Sequence, residues 1–228
     1  MNTFTKLFAA SALALGMAAT ATPAAAQVQG RIATADVSRA IIGTTALQNA
    51  YSQIGQTYSA QIEQRNTKQQ QLATLLQPFD ANGNGQLEES ELPAIQSSPN
   101  LAQIQTLEQE IAALTNQVNA ARAFAVDQIL AQYPAALTQV TTQQQIVVVL
   151  QPDTIQFATP EADITQQVTA ALNTLVPAVQ IVPPADWRPG RNTPAIFQEI
   201  QQTLIAAQFA QQQQQAQQQP ATQAPQGR

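Results

Sequence analysis

The residues with the most specific chemistry lie in the segment 80–91, which reads Asp-Ala-Asn-Gly-Asn-Gly-Gln-Leu-Glu-Glu-Ser-Glu. This segment fits the calcium-loop pattern D-x-[DN]-x-[DN]-G-x5-E at every specified position. Calcium is a hard cation that binds oxygen atoms, so oxygen-bearing side chains spaced along a tight loop suit it. The sequence therefore predicts a calcium site whose ligands are Asp80, Asn82, Asn84, Gln86, Glu88 and Glu91.

Each position of the loop has a separate role in this interpretation. The first three ligands supply side-chain oxygens, and Gly85 permits the sharp turn that brings the main-chain carbonyl of Gln86 inward. Glu88 acts through a water molecule, and Glu91 closes the site with both carboxylate oxygens. Since the sequence holds no second loop to pair with this one, we expect weak binding, on the order of 10⁻⁴ to 10⁻³ M. The alternative is a polar turn, rich in Asn and Gly, that only connects two helices.

The composition of the 228-residue chain excludes several classes of function. It contains no cysteine and no histidine, which removes disulfides, thiol nucleophiles and imidazole chemistry. Its formal net charge of −5 argues against binding to a nucleic acid backbone. No set of residues in the sequence suggests a catalytic cleft, so we expect no enzyme activity.

The N-terminus predicts export from the cytoplasm. Lys6 precedes an apolar run at residues 7–19, and the three alanines at 24–26 form a small-residue cleavage site. We therefore expect residues 1–26 to be a signal peptide that is cleaved near Ala26. No later segment is apolar enough to span a bilayer, so we do not expect a membrane-spanning protein.

The loop is flanked by two segments in which apolar residues recur every three or four positions, as in a coiled coil. These arms, roughly residues 44–79 and 100–133, are nearly equal in length, and as helices each would be about 50 Å long. Equal arms joined by a turn indicate an antiparallel helical hairpin with the loop at its tip. The apolar seams are Leu47, Tyr51, Ile54, Tyr58 and Ile62 in the first arm, and Ile104, Leu107, Ile111, Leu114, Val118, Ala121 and Ala125 in the second.

A small β-containing body is predicted at the base of the hairpin. Residues 31–37 and 146–150 have the composition of strands, and the continuous β-branched run in the second predicts burial on both of its faces. We expect residues 154–158 to pair with that run as a β-hairpin. A helix over 163–175, with Asp163 as its N-cap, and another short strand at 179–182 complete the predicted body.

The rest of the chain differs from the body in composition. Residues 187–190 are predicted to be a linker, and Thr193-Pro194 is a favourable helix start. The helix at 193–210 has one apolar face, which could dock on the body, on a partner chain or on a membrane surface, and we favour docking on the body. Residues 211–228 are rich in Gln and predicted to be disordered.

The order of these elements resembles the OmpH family, the Skp-type periplasmic chaperones. Residues 31–42 look like that family's first strand and the start of its first helix. Residues 146–158, Ile-Val-Val-Val-Leu-Gln-Pro-Asp-Thr-Ile-Gln-Phe-Ala, look like the strand pair that follows its hairpin, and residues 163–175 look like its closing helix. The resemblance covers about residues 31–182.

The resemblance implies an α+β fold, mostly α, in which a long helical hairpin projects from a small β body. It implies a homotrimer in the periplasm that holds unfolded outer-membrane proteins between its arms and has no enzyme activity. The predicted units are a signal peptide (1–26), an OmpH-like domain (27–182) with its body at 27–43 and 140–182 and its hairpin at 44–139, a linker and amphipathic helix (183–210) and a tail (211–228).

Two features depart from the family pattern. The calcium-type loop and the extension after Pro184 are additions, and the arms are not basic, so electrostatic capture of lipopolysaccharide is not expected. Our leading hypothesis is a holdase chaperone with a calcium site at its hairpin tip. The alternative is a calcium-responsive structural or interaction protein of the cell envelope. The charged residues of the arms outside the loop include Arg65, Lys68 and Arg122 against Glu63, Glu108, Glu110 and Asp127.

Overall fold

The computed structural model describes residues 30–85 and 88–218, and in this part of the chain the fold is mostly helical with one small sheet, as predicted. The predicted signal peptide, Gln86 and the last ten residues of the tail lie outside the described residues. The elements are β1 (Arg31–Thr34), α1 (Val37–Ile42), α2 (Thr45–Thr57), α3 (Ser59–Leu76), α4 (Leu92–Gln96), α5 (Leu101–Leu130), α6 (Tyr133–Gln144), β2 (Ile146–Leu150), α7 (Thr165–Leu175) and α8 (Thr193–Gln218), with 3-10 turns at Gln77–Phe79, Pro152–Thr154 and Pro160–Ala162.

The two strands lie side by side in parallel, with Arg31 opposite Ile146 and Thr34 opposite Leu150. Parallel strands need a long crossover connection, and here that crossover is the whole helical hairpin. On the other side of β1, the main-chain N–H of Ile164 donates to the carbonyl of Thr34 at 2.9 Å. The start of α7 is therefore fixed to the sheet as well.

The predicted β-hairpin of residues 146–150 and 154–158 is wrong. β2 pairs with β1, and the chain after it turns through Pro152–Thr154 into residues that form no strand in the described structure. Phe157, which was expected to be part of the second strand, is 85 % exposed. The apolar residues of this segment thus have no sheet neighbour within the chain.

The predicted strand at residues 179–182 is also wrong. The main chain of Gln180 finds its partners on a side chain of α5: its N–H donates to Oε1 of Gln128 at 3.0 Å, and its carbonyl accepts from Nε2 of the same residue at 2.9 Å. One side-chain amide thereby supplies both of the hydrogen bonds that a neighbouring strand would have supplied.

The helix boundaries follow the predicted capping residues in part. Thr44, at the start of the first predicted arm, caps α2, and its hydroxyl accepts the N–H of Leu47 at 3.3 Å. α7 begins at Thr165 rather than at Asp163, although the Asp163 carboxylate still accepts the Thr165 N–H at 2.9 Å. The first arm is interrupted at Tyr58, between α2 and α3, which the sequence did not predict.

The apolar seams of the two arms face each other, as predicted, but their packing is graded along the hairpin. Close to the body, Ile54, Tyr58, Val118 and Ala121 form a compact buried cluster. Farther out, α3, all of whose residues are described, has no buried side chain. Burial in the first arm therefore decreases outward, whereas the second arm keeps Ile104 and Leu107 buried near the tip.

The main core lies where α1, α2, α5, α6, α7 and α8 meet. Ile41, Ile129, Ile164 and Leu172 are completely buried there. Ile200 of α8 is equally buried, which confirms that this helix docks on the body of its own chain. α8 also continues through residues 211–218, which were predicted to be disordered.

Asp163 connects α7 to the first helix. Its carboxylate accepts the Thr165 N–H and lies 3.5 Å from the Arg39 guanidinium. Partial burial raises the pKa of Asp163, but the hydrogen bonds from Thr165 and the Arg39 charge outweigh it and hold the pKa below its usual value. A pKa that is lower in the folded chain means that the carboxylate stabilises the fold above its unfolded pKa, near 4, and that this stabilisation is lost as the pH falls through the folded pKa.

We therefore expect Asp163→Asn to lower the free energy of unfolding at neutral pH by about 1 kcal/mol, mainly through weaker hydrogen bonds, since the exposed Arg39 pair contributes little. The difference from the unsubstituted protein should shrink in acid, below a pH of about 4, because the native carboxyl group is then protonated too. Urea unfolding followed by circular dichroism measures the free energy of unfolding at neutral pH and in acid, with Asp153→Asn as an exposed control. A difference that is the same at both pH values would contradict this role of Asp163.

Candidate functional site

The two ends of the loop 80–91 are held together by the carboxylate of Glu91. Its Oε1 accepts the main-chain N–H of Ala81 at 2.7 Å, and its Oε2 accepts that of Glu88 at 3.0 Å. Glu91 is only 7 % exposed, so these bonds are partly shielded from water. The residue predicted to close a calcium site thus closes the loop itself.

Asp80 organises the middle of the loop. Its Oδ1 accepts the N–H of Asn84 at 3.1 Å, and its Oδ2 accepts the N–H of Gly85 at 2.7 Å. To bring these N–H groups back toward Asp80 the chain turns sharply, with Gly83 at φ 69° and Gly85 at φ 74°. Both values lie in the left-handed region, which glycine adopts without the steric cost of a Cβ atom. The two glycines therefore make this turn possible.

Glu88 is bound by the two asparagines of the loop. The side-chain amides of Asn82 and Asn84 donate to its Oε1 at 3.0 and 3.1 Å. The Oδ1 atom of Asn82 also accepts the N–H of Asn84 at 3.0 Å. Five of the six predicted ligand residues are thus joined in one hydrogen-bonded loop, and the sixth, Gln86, lies outside the described residues.

The donor set of the loop suits calcium in kind, because every described ligand residue offers oxygen. Its carboxylates, however, do not converge: within residues 30–85 and 88–218, no three acidic side chains are placed to share one metal ion. The oxygens of Asp80 and Glu91 already accept loop N–H groups. A cation would compete with these N–H groups for the same oxygens, which favours weak binding. The calcium site remains a prediction.

A cleft of about 630 Å³ lies beside the loop. Leu72 and Leu76 of α3 form part of its lining, and Asp80, Gly83 and Gly85 contribute from the loop. We did not predict this cleft because its two sides come from different segments. The spacing of the leucines was visible in the sequence, but it indicated only a helix face.

The shaft of the hairpin presents a polar surface with few charges. Lys68 and Glu110 form an ion pair across the two arms at 2.7 Å. Both side chains are partly exposed, and such a pair contributes about 0.2–1 kcal/mol. The remaining arm surface consists mostly of Gln and small residues, which suits weak contacts with many different chains.

The body exposes apolar side chains around its sheet. β2 was predicted to be buried on both faces, yet Val147 is 51 % exposed and Leu150 is 41 % exposed, and Ile32 of β1 is 58 % exposed. In the described part of the chain β2 pairs only with β1, so its other edge carries unpaired main-chain groups. An open apolar edge of this kind pairs readily with another strand. The single chain is therefore incomplete at this sheet.

Comparisons with known proteins give one family match and one similar solved structure. A family model described as outer membrane protein (OmpH-like) matches residues 31–172, which include β1, the whole hairpin, β2 and most of α7. A crystal structure from Caulobacter crescentus CB15, described as an outer membrane chaperone (OmpH-like), is 19 % identical and covers 66 % of this chain and 88 % of that chain, with a TM-score of 0.39. No curated protein sequence matches. Among the helices that the structure describes, none is both long and apolar enough to cross a membrane.

Proposed function

The chain belongs to the OmpH-like family, and from this premise we propose that it is a periplasmic holdase chaperone for unfolded outer-membrane proteins. The family comprises chaperones without enzyme activity, in agreement with the sequence analysis. The single observation that carries the proposal is the hairpin on its small body, because a family match that spans the hairpin and both strands includes all the elements that a holdase of this type needs.

The surface of the arms supports a holding role. α3 has no buried side chain along its described length, and Leu72, Leu75 and Leu76 are only half-buried. Apolar groups that are spread among Gln side chains make weak contacts with an unfolded chain, and several arms acting together convert weak contacts into useful avidity. Tight recognition of one folded partner would need a larger continuous apolar patch.

We infer that three chains assemble through the sheet. The open edge of β2 and the exposed side chains of Ile32, Val147 and Leu150 support an assembly of copies of this chain. Ala33 and Ile146 hold the sheet against the helices of the body, but its second edge stays open, and strands from sister chains would cover that edge. The number three follows from the family resemblance.

The calcium site at the tip forms the second part of the proposal. Asp80, Asn82, Asn84, Glu88 and Glu91 would hold the ion, together with the carbonyl of Gln86. A bound cation would neutralise the acidic loop and strengthen its closure. The exit helix α4 has only five residues and is followed by Pro99, so a large opening motion is not expected. We therefore assign the ion a structural role at the tip.

A second candidate is a calcium-responsive structural or interaction protein of the cell envelope. It is favoured by the segment after residue 172, which the family match does not include. In that segment Ile205 is 49 % exposed and Phe209 is 59 % exposed on α8, where a specific partner could bind. The two candidates differ in one respect: only a holdase would suppress the aggregation of unfolded outer-membrane proteins.

The holdase proposal predicts that the purified protein forms particles of three chains and suppresses aggregation of a urea-denatured outer-membrane barrel on dilution. Val147→Asp places a charge on the exposed sheet face and should yield monomers, so that about tenfold more protein is needed for the same suppression. Light scattering measures both the particle mass and the aggregation. Ile205→Asp is the matched control, a charge on an equally exposed residue of α8, and should change neither.

Monomeric wild-type protein would contradict the assembly. Failure to suppress aggregation, both with and without millimolar calcium, would contradict the holdase function and leave the second candidate.

The calcium proposal predicts binding with a dissociation constant on the order of 10⁻⁴ to 10⁻³ M in titration calorimetry. Asp80→Ala and Glu91→Gln should each abolish the binding because each removes a carboxylate ligand, whereas Glu108→Gln, on the arm, should leave it unchanged. Circular dichroism and light scattering serve to check that the variants keep their helices and their assembly. Unchanged binding in either loop variant would show that the ligands are misassigned, and equal heats with magnesium would argue against a calcium site.

A further inference from the structure

The segment that follows α7 lies across the base of the hairpin. We call residues 177–204 the strap; they begin after the end of the family match at residue 172. The strap makes three groups of contacts with the arms: with a carboxylate on α5, with the side chains beside that carboxylate, and with the buried cluster at the interruption of the first arm.

Asp127 of α5 binds the strap through both carboxylate oxygens. Oδ2 accepts the indole N–H of Trp187 at 3.1 Å, and Oδ1 accepts the main-chain N–H of Gly190 at 3.1 Å and the hydroxyl of Thr193. Hydrogen bonds to an ionised acceptor are roughly twice as strong as neutral ones. The approach is close: a Cβ atom on Gly190 would lie 3.0 Å from Oδ1, so a larger residue here would displace the Asp127 side chain slightly.

The side chains next to Asp127 make further contacts with the strap. The ring of Trp187 packs edge-on against Phe124, with ring centres 5.3 Å apart. One position after Asp127, Gln128 forms two hydrogen bonds with the main chain of Gln180. About one turn of α5 therefore holds the strap by its polar and aromatic groups together.

The third contact is at the joint of the first arm, by which we mean Tyr58, where α2 ends and α3 begins. Ile181 of the strap packs against the buried cluster that contains Tyr58 and Val118. Beyond the joint, α3 has no buried side chain in its described length. Ile181 thus contacts the hairpin at the level of the joint, where the first arm still has buried side chains.

The end of the strap is anchored independently in α8. Ile200 is completely buried in the body, and the amide of Gln201 donates to the hydroxyl of Tyr51 in the first arm at 3.3 Å. Burial raises the pKa of Tyr51 to about 12, although Arg122 and the Gln201 bond act to lower it. The strap is therefore fixed to the body at one end and to both arms along its length.

We propose that the strap fixes the direction of the hairpin relative to the body, with Asp127 as the positioning residue that holds it and Ile181 as the contact that restrains the joint. The contacts run from the body to the joint, beyond which α3 has no buried side chain in its described length, so they restrain the first arm at the point from which its outer part extends. The consequence for clients rests on the proposed holdase function, because the direction of the arms sets the width of the space between them.

The test measures the arm directly and needs no client. The chain contains no cysteine, so spin labels can be placed on Gln70→Cys in the outer arm and on Gln167→Cys in α7, with labelled protein diluted into unlabelled protein. Asp127→Asn and Ile181→Ala should each widen the distribution of label distances about twofold, since a released arm samples more orientations. Asp186→Asn and Val182→Ala, the same changes at exposed neighbouring positions, should leave it unchanged.

A second label pair within the body, at Gln48→Cys and Gln167→Cys, distinguishes a released arm from a general loss of stability, because its distances should not widen in any variant. If Asp127→Asn loses its helical signal in circular dichroism, Ile181→Ala decides the question. If a folded strap variant leaves the distance distribution of the arm labels unchanged, the proposal is overturned. It is also overturned if the distances within the body widen as much as those of the arm. Because the aggregation assay is separate, its failure would leave the distance result standing.

Discussion

The structure depends on one pairing, that of β1 with β2. Because the strands are parallel, the chain between them must leave the sheet and return to the same end, and it does so as a long helical hairpin. The bond from Ile164 to Thr34 extends the same arrangement to α7. The sheet places both feet of the hairpin on one small body, yet it leaves Val147 and Ile32 exposed and one edge of β2 open. This incompleteness is the physical reason to expect sister chains.

Burial in the first arm decreases from the body outward, and this gradient connects the structure with the proposed function. Near the body, small residues such as Ala121 and Ala125 let the helices approach closely and exclude water. Along α3 the arm offers half-buried leucines among polar side chains, which can contact an unfolded chain without committing to one partner. The second arm keeps Ile104 and Leu107 buried at its outer end. The more exposed stretch of the first arm thus lies between the strap and the loop that Asp80 and Glu91 close.

Features that depend on local spacing could be predicted from the sequence. The apolar seams and the need for Gly85 in the loop are local, and the structure contains both. The pairing of the strands was not predictable in the same way. Residues 154–158 alternate like a strand, but β2 pairs with β1, which precedes the hairpin in the sequence. Likewise, nothing near Trp187 in the sequence indicates that Asp127 will accept its N–H. The Gln- and Ala-rich end of α8 was misjudged by composition, although both residues are good helix formers.

The central claim is that the sheet is completed by other copies of the chain, and amide hydrogen exchange in β2 tests it most directly. In a single chain, successive N–H groups of residues 146–150 point alternately toward β1 and away from it, so those on the open edge would exchange rapidly with water. The account predicts slow exchange at every amide from Ile146 to Leu150 in the assembled protein, because strands of neighbouring chains cover the second edge. Slow exchange only at alternate amides, with the others exchanging as fast as an exposed loop, would contradict it.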